Sequence, residues 1–201
     1  MRESTPNRTG GGRGKLVVIS GPSGTGKTTI CKELVRRLPE AMLSVSATTR
    51  PKRPSEGDGE SYWFISQEEF LRRRQAGGFL ESAEYLGHLY GTPAEPVRQA
   101  LAQGRTVILE IEVQGGAQVA RSVPDSIRIF VLPPTMETLQ ARLAGRETES
   151  VRQMQRRLAE ADGEIGFARD SACYQHFVTN DEVERTVEEI IRIIEKERVI
   201  R

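Results

Sequence analysis

Residues 17–30 read VVISGPSGTGKTTI: an apolar, β-branched run, a glycine-rich turn, then a lysine and two threonines. Gly21-Pro22-Ser23-Gly24-Thr25-Gly26-Lys27-Thr28 matches G-x-x-x-x-G-K-[ST], the pattern of a phosphate-binding loop. Each part has a physical reason. Glycines let successive backbone N–H groups point at one anion. The turn opens a helix, whose first N–H groups lack partners and whose dipole favours negative charge. Lys27 can then reach β- and γ-phosphate oxygens of a nucleoside triphosphate, and the Thr28 hydroxyl can ligate Mg²⁺, with Thr29 beside it in the same turn. The flanks agree. Residues 15–20 (KLVVIS) lack alternation, as a strand buried on both faces does. Residues 28–38 place Ile30, Leu34, Val35 and Leu38 at helical spacing, and Pro39 ends them.

Further along, residues 41–46 read as a second strand. The segment ATTRPKRPSEGDGESY carries prolines, glycines and many polar residues, which predicts a long loop. Residues 62–65 form a short strand, and Ser66-Gln67-Glu68-Glu69 is a capping box that starts a helix running to about Ala76. Residues 79–90 suggest a hairpin turning at Gly87-His88, and residues 93–103 a helix closed by Gly104. Buried-strand candidates follow at 106–113 (TVILEIEV) and 127–132 (IRIFVL). Helices are expected at 135–143, 150–168 and 182–197, with a last short strand at 176–179. Strands and helices alternate at both ends of the chain, which favours a parallel α/β sheet covered by helices. The middle, roughly 46–94, breaks that alternation and reads as an inserted subdomain of antiparallel strands plus one helix.

Composition narrows the function. The 201 residues suffice for one domain, and 37% apolar with 28% charged residues describes an ordinary folded protein. A formal net charge of +1 gives no general attraction to nucleic acid or to an anionic membrane. No apolar run approaches the ~20 residues that span a bilayer. The polar opening MRESTPNRTGGGRGK resembles a flexible tail and not a secretory signal. A cytoplasmic location is the expectation, with Cys31 and Cys173 as free thiols.

The loop names a phosphate donor; the acceptor has to be sought elsewhere. Arg50 and Arg53 lie three apart in Thr48-Thr49-Arg50-Pro51-Lys52-Arg53-Pro54, stiffened by prolines, and two guanidinium forks suit a phosphate monoester. A second group, Arg142, Arg146, Arg152, Arg156 and Arg157, surrounds a glycine-containing break, as expected of a mobile lid. On pattern alone, each group could equally be a solvated basic surface. Arg72-Arg73-Arg74 fits an exposed helix face, and His88 and His176 match no catalytic role.

Taken in order, Ser44-Val45-Ser46-Ala47-Thr48-Thr49-Arg50-Pro51, Arg53, Glu56-Gly57, Tyr62, Phe79-Leu80-Glu81, Tyr90-Gly91-Thr92, Leu109-Glu110-Ile111, Gln114-Gly115, Arg142-Leu143, Gly145-Arg146, Arg157-Leu158 and Asn180-Asp181 resemble the guanylate kinase family. The resemblance covers nearly everything from Gly14 onward. It implies a P-loop nucleoside monophosphate kinase: an α/β fold with a parallel core sheet flanked by helices, an inserted mixed α/β GMP-binding subdomain and a helical lid. The implied layout is a tail at 1–14, a core at 15–45 and 95–201, an insert at about 46–94 and a lid at about 142–158. The implied reaction is phosphoryl transfer from MgATP to GMP or dGMP, a step in purine nucleotide metabolism, with no nucleic-acid or membrane partner.

By the same resemblance, Ser46 and Glu81 read guanine, with Thr92 beside them. Arg50, Arg53, Tyr62 and Tyr90 grip the GMP phosphate, and Glu56 holds the arginines. Glu110 lies near the acceptor nucleotide. Lys27, Arg50, Arg146 and Arg157 are the implied catalytic set, Arg142 a phosphate-binding arginine, and Asn180 part of the adenine segment. Two departures stand out. Glu112 occupies a position that is usually Asp, and Arg146-Glu147-Thr148 replaces Arg-Gly-Thr. The alternatives are a related kinase for another phosphorylated acceptor, and a non-catalytic guanylate-kinase-like module. The intact phosphate loop weighs against the second.

Overall fold

The structure, a computed structural model, describes residues 14–85, 87–144 and 151–199. In chain order its elements are β1 (Leu16–Ser20), α1 (Lys27–Arg37), β2 (Ala41–Leu43), β3 (Ala47–Thr48), β4 (Trp63–Phe64), α2 (Gln67–Gln75), β5 (Phe79–Tyr85) and β6 (His88–Pro93). There follow α3 (Ala94–Ala102), β7 (Thr106–Glu110), α4 (Val113–Ser122), β8 (Ile127–Leu132), α5 (Met136–Ala144), α6 (Val151–Asp170), β9 (His176–Thr179) and α7 (Val183–Val199).

Five strands form one sheet in the order β2-β7-β1-β8-β9, and every pairing in it is parallel. β1 is central, with Val18 opposite Leu109 on one side and Arg128 on the other. All five of its residues are buried. Its side chains still alternate. Val17 and Ile19 enter a core with Ile30 and Leu34 of α1 and Val187, Ile190 and Ile194 of α7. Leu16 and Val18 enter the opposite core, with Val97 of α3, Val113 and Val119 of α4, Phe130 and Tyr174. An apolar run without alternation is thus the signature of a strand covered on both faces.

The remaining strands make a second sheet, β4-β3-β6-β5, built from the middle of the chain. Its β3–β6 and β5–β6 pairings are antiparallel, with Glu81 opposite Thr92, but β3 and β4 run parallel. An all-antiparallel arrangement was the expectation. The parallel pair arises because the segment between β3 and β4 is long enough to bring the chain back to its start. Ser66 caps α2 through its side chain, which accepts the Glu69 N–H at 3.1 Å.

Two elements differ from the sequence-based outline. The strand expected over 106–113 stops at Glu110, and a ten-residue helix, α4, follows where none was expected. Gly115 and Gly116 in its first turns each weaken a helix by about 1 kcal/mol relative to alanine. Packing supplies the reason for them: a β-carbon at Gly115 would meet the Glu81 carboxylate, and one at Gly116 would meet the Tyr174 phenol. The strand expected over 41–46 likewise ends at Leu43 and restarts as β3 in the other sheet. Cys31 and Cys173 are free, as expected. Among the described residues no helix is long and apolar enough to cross a membrane.

Ile190 is fully buried between α7 and the parallel sheet. Ile190→Ala should cost about 2–5 kcal/mol through lost burial and a residual cavity. Thermal unfolding followed by circular dichroism would show it as a clear fall in Tm, and an unchanged Tm would contradict this packing.

Candidate active site

The parallel strands bring their C-terminal ends to one edge of the sheet, where open α/β folds carry their ligands. β1 ends at Ser20, and residues 21–26 turn the chain into α1. Gly26 stands at the N-cap with φ 93°, in the left-handed region that favours glycine. A β-carbon there would lie 2.6 Å from Asn180 Nδ2. The loop is braced from within by the Thr25 hydroxyl, which donates to the Pro22 carbonyl at 2.8 Å. From outside, Asn180 donates to the Thr25 carbonyl at 2.7 Å and accepts from the Thr186 hydroxyl at 3.1 Å.

The start of α1 has neither a side-chain cap nor an acidic residue in its first turn. Most helices satisfy those first N–H groups with Ser, Thr, Asp or Asn. Here they are left for something else, and an anion is the group that fits. Lys27 is turned back on the loop, its Nζ donating to the Gly21 carbonyl and, at 3.0 Å, to the Pro22 carbonyl. The Thr28 hydroxyl is exposed and donates to Glu110 Oε1 at 2.6 Å, so it sits where the end of β7 meets the start of α1. Of the other residues of this segment, Pro22 is buried, Ser23 and Gly24 are half-buried and Thr29 is exposed. Arg142 donates to the Asn180 carbonyl at 3.0 Å, and Arg157 approaches the Ser23 hydroxyl at 3.5 Å, a distance at the limit of a hydrogen bond. The helices on either side of residues 145–150 therefore bring Arg157 to the loop and Arg142 to Asn180, which braces it. Arg146, Glu147 and Thr148 lie outside the described residues.

A second cluster belongs to the other sheet. Arg50 makes a two-pronged contact with Glu56, with NH2 to Oε1 at 2.6 Å and NH1 to Oε2 at 3.1 Å. Its guanidinium also lies over the Tyr62 ring, 5.5 Å from the centroid, with the Tyr90 side chain close enough to interact with its charge. Tyr62 and Tyr90 meet edge to face at 5.9 Å. The Arg50 hydrogen bond, together with that from the Arg53 N–H, holds the Glu56 carboxyl below the usual carboxylate range. The Arg53 side chain is exposed. Ser46 is half-buried just before β3, its carbonyl accepting from Trp63 N–H.

Where β5 of the second sheet packs against α4 lies Glu81, only 6% exposed. Its Oε1 accepts from both the Thr92 N–H at 3.0 Å and the Thr92 hydroxyl at 2.7 Å. Its Oε2 lies against Gly115 of α4, on the seam between the two sheets. Burial pushes its carboxyl upward, the Thr92 bonds pull it back, and the Glu112 carboxylate raises it further.

Sequence reasoning missed several neighbours. Glu164 of α6 is pushed up to about 7 by burial and by the carboxylate of Glu112, and its Oε2 is buried without a hydrogen-bond partner. The signal was available in outline: residue 164 lies seven after Arg157 on the same helix, hence on the same face. Tyr174 donates to the Val113 carbonyl at 3.2 Å, tying the loop before β9 to the start of α4. Gln118 of α4 bonds the backbone of Ser82 in β5. No pattern in a single sequence marks such a contact.

The raised Glu81 carboxyl has a consequence for stability. Between the ordinary glutamate value, ~4.3, and its higher folded value, the folded protein keeps a proton that the unfolded chain has lost. The stabilising contribution is full below the unfolded value and is lost as pH rises through the folded one. Glu81→Gln retains an acceptor for Thr92 and has no such dependence. The Tm of the wild type should therefore fall relative to that of Glu81→Gln as pH rises from about 4 to 8. Parallel Tm-against-pH curves would contradict the burial of an ionisable carboxyl here.

The guanylate kinase family model matches residues 13–197. A guanylate kinase of Rubrobacter xylanophilus is 50% identical over 184 residues, covering 92% of this chain and 95% of the relative. One from Symbiobacterium thermophilum is 48% identical over 191 residues, covering 94% and 89%. Among solved structures, a guanylate kinase from Anaplasma phagocytophilum superposes with a TM-score of 0.75 at 30% identity, covering 93% of this chain and 87% of that one. With the phosphate loop complete and the match running nearly end to end, the chain belongs to the guanylate kinase family.

Proposed function

We propose that the chain transfers the γ-phosphoryl group of ATP to GMP or dGMP, giving ADP and GDP. One observation carries the choice of acceptor: a buried carboxylate, Glu81, with one oxygen engaged by Thr92 and the other turned to the seam between the sheets. Guanine presents N1–H and N2–H₂ as adjacent donors, which a carboxylate can accept together. Adenine offers an acceptor at N1 and would leave that carboxylate unpaired, a mismatch that discriminates strongly. Ser46 and Thr92 flank the same place. Family membership and the intact loop support catalysis over a binding-only role.

In this scheme the core comprises 15–45 and 95–201, the acceptor-binding insert about 46–94 and the lid about 142–158. Gly21 to Thr29, the α1 N-terminus and Arg142 receive the ATP phosphates, with Asn180 in the segment beside the adenine. Arg50, Arg53, Tyr62 and Tyr90 receive the GMP phosphate, Arg50 held ready by Glu56, and Glu110 stands between the two nucleotides. A phosphate oxygen of GMP attacks the γ-phosphorus, the bond to the β–γ bridging oxygen breaks, and ADP leaves. No general base is needed, because the attacking oxygen is already anionic. The protein's task is alignment and neutralisation of charge. Lys27 exchanges its loop carbonyls for phosphate oxygens, and Arg146 and Arg157 close from the lid side.

The donor set fits Mg²⁺ that arrives with the triphosphate. Thr28 offers one hard hydroxyl oxygen beside the Glu110 carboxylate, and among the described residues no group of three or more metal-ligating side chains forms a separate cage. When bound, Mg²⁺ would offset charge on the β- and γ-phosphate oxygens. A cytoplasmic site of action goes with this substrate pair.

The test is ADP release from MgATP with GMP, AMP, CMP, UMP or no acceptor. Turnover should appear with GMP alone, and Lys27→Ala should lower it by about 10²–10³-fold. Equal ADP release in every tube would mean a bare ATPase. Turnover with another monophosphate would move the acceptor away from guanine.

A further inference from the structure

β5 is the edge strand of the second sheet, so among the described residues one side of its backbone has no strand to pair with. At Ser82, the residue after Glu81, that side is occupied by one side chain from the core. Gln118 Oε1 accepts the Ser82 N–H at 3.1 Å, and Gln118 Nε2 donates to the Ser82 carbonyl at 2.9 Å. A primary amide thereby takes the place of a neighbouring strand, satisfying the donor and the acceptor of one residue. The contact has direction as well as energy. Two bonds from one planar group fix Ser82 along and across α4, whereas one bond would leave it free to pivot.

Glu81 is anchored only on its other side, to Thr92 of the same sheet. Its Oε2 reaches α4 at Gly115, three residues before Gln118 and therefore on the same face of that helix. The depth of the Glu81 carboxylate relative to the core is thus set at adjacent points of one helix. Gly115 gives the space, and Gln118 holds the strand that fills it. We propose that Gln118 is a positioning residue for acceptor-base specificity, holding Glu81 at the depth where it meets the guanine edge. This rests on the guanylate kinase reading above. Gln118 acts through the β5 backbone and touches neither nucleotide.

Gln118→Met keeps a straight chain of similar length and removes both hydrogen bonds, and Gln118→Leu does the same with a branched chain. Both would be assayed with GMP and with inosine monophosphate, which lacks the N2 amino group, alone and in the Glu81→Gln background. KM for GMP should rise roughly tenfold and KM for ATP should change less than about twofold. The preference for GMP over inosine monophosphate should fall by a similar factor. In the Glu81→Gln background neither change should add further loss, since Gln118 works through the group already replaced. Equal rises in both KM values, an unchanged GMP preference, or additive losses in the double variants would overturn the proposal. Either variant suffices, provided its circular dichroism matches the wild type. If the wild type turned over GMP normally and both variants behaved like it, only the positioning role would fall. If the wild type failed on GMP, the catalytic reading would fall first.

Discussion

Helix α1 begins without the groups a helix ordinarily provides for itself, and much of the molecule is arranged around that omission. Its first N–H groups have no side-chain cap and follow a turn held by Thr25, Gly26 and Asn180. A turn in that shape needs a rigid base, which β1 supplies as the central strand of a fully parallel sheet with helices on both faces. The neighbouring strand β7 then delivers Glu110 beside Thr28, and the end of β9, two strands from β1, delivers Asn180 beside Thr25. In the proposed reading, strand polarity and one uncapped helix are what make this edge a site for a polyanion.

The second constraint is a carboxylate held away from water. Burying Glu81 is unfavourable for its charged form, and among the described residues its hydrogen bonds reach one oxygen. Such an arrangement is poor for stability; in the proposed reading it serves selection, because guanine offers two adjacent donors where adenine offers an acceptor. Arg50 is held by Glu56 and lies over Tyr62, so in the proposed reading less conformational freedom remains to be lost when the GMP phosphate binds. The glycines at 115 and 116 weaken α4 as a helix and let Glu81 and Tyr174 approach it.

Elements whose character is local were legible in the sequence. The β1–loop–α1 unit, the Ser66 cap, the turn near Gly87 and the strand at 176–179 all follow from spacing and residue type. α4 was not legible, because its Gly115 and Gly116 reflect what packs on it and not what favours a helix. The parallel pairing of β3 with β4 was also hidden, since it depends on where a long polar segment returns. In the site, order along the chain pointed to Arg50, Glu56, Tyr62, Glu81, Tyr90 and Thr92, residues the structure gathers in two neighbouring clusters. It did not point to Glu164 or Gln118, whose significance lies in contacts between elements 36 or more residues apart, as for Gln118 with Ser82.

The central claim is that guanine is read at Glu81, on the seam between the two sheets. A crystal structure of the full chain with GMP and a non-hydrolysable ATP analogue addresses it most directly. The account predicts a Glu81 carboxylate oxygen within hydrogen-bond distance of guanine N1 and N2, with the GMP phosphate on Arg50 and the ATP phosphates on the loop before α1. A guanine ring bound elsewhere, with Glu81 still facing only Thr92 and Gly115, would contradict it.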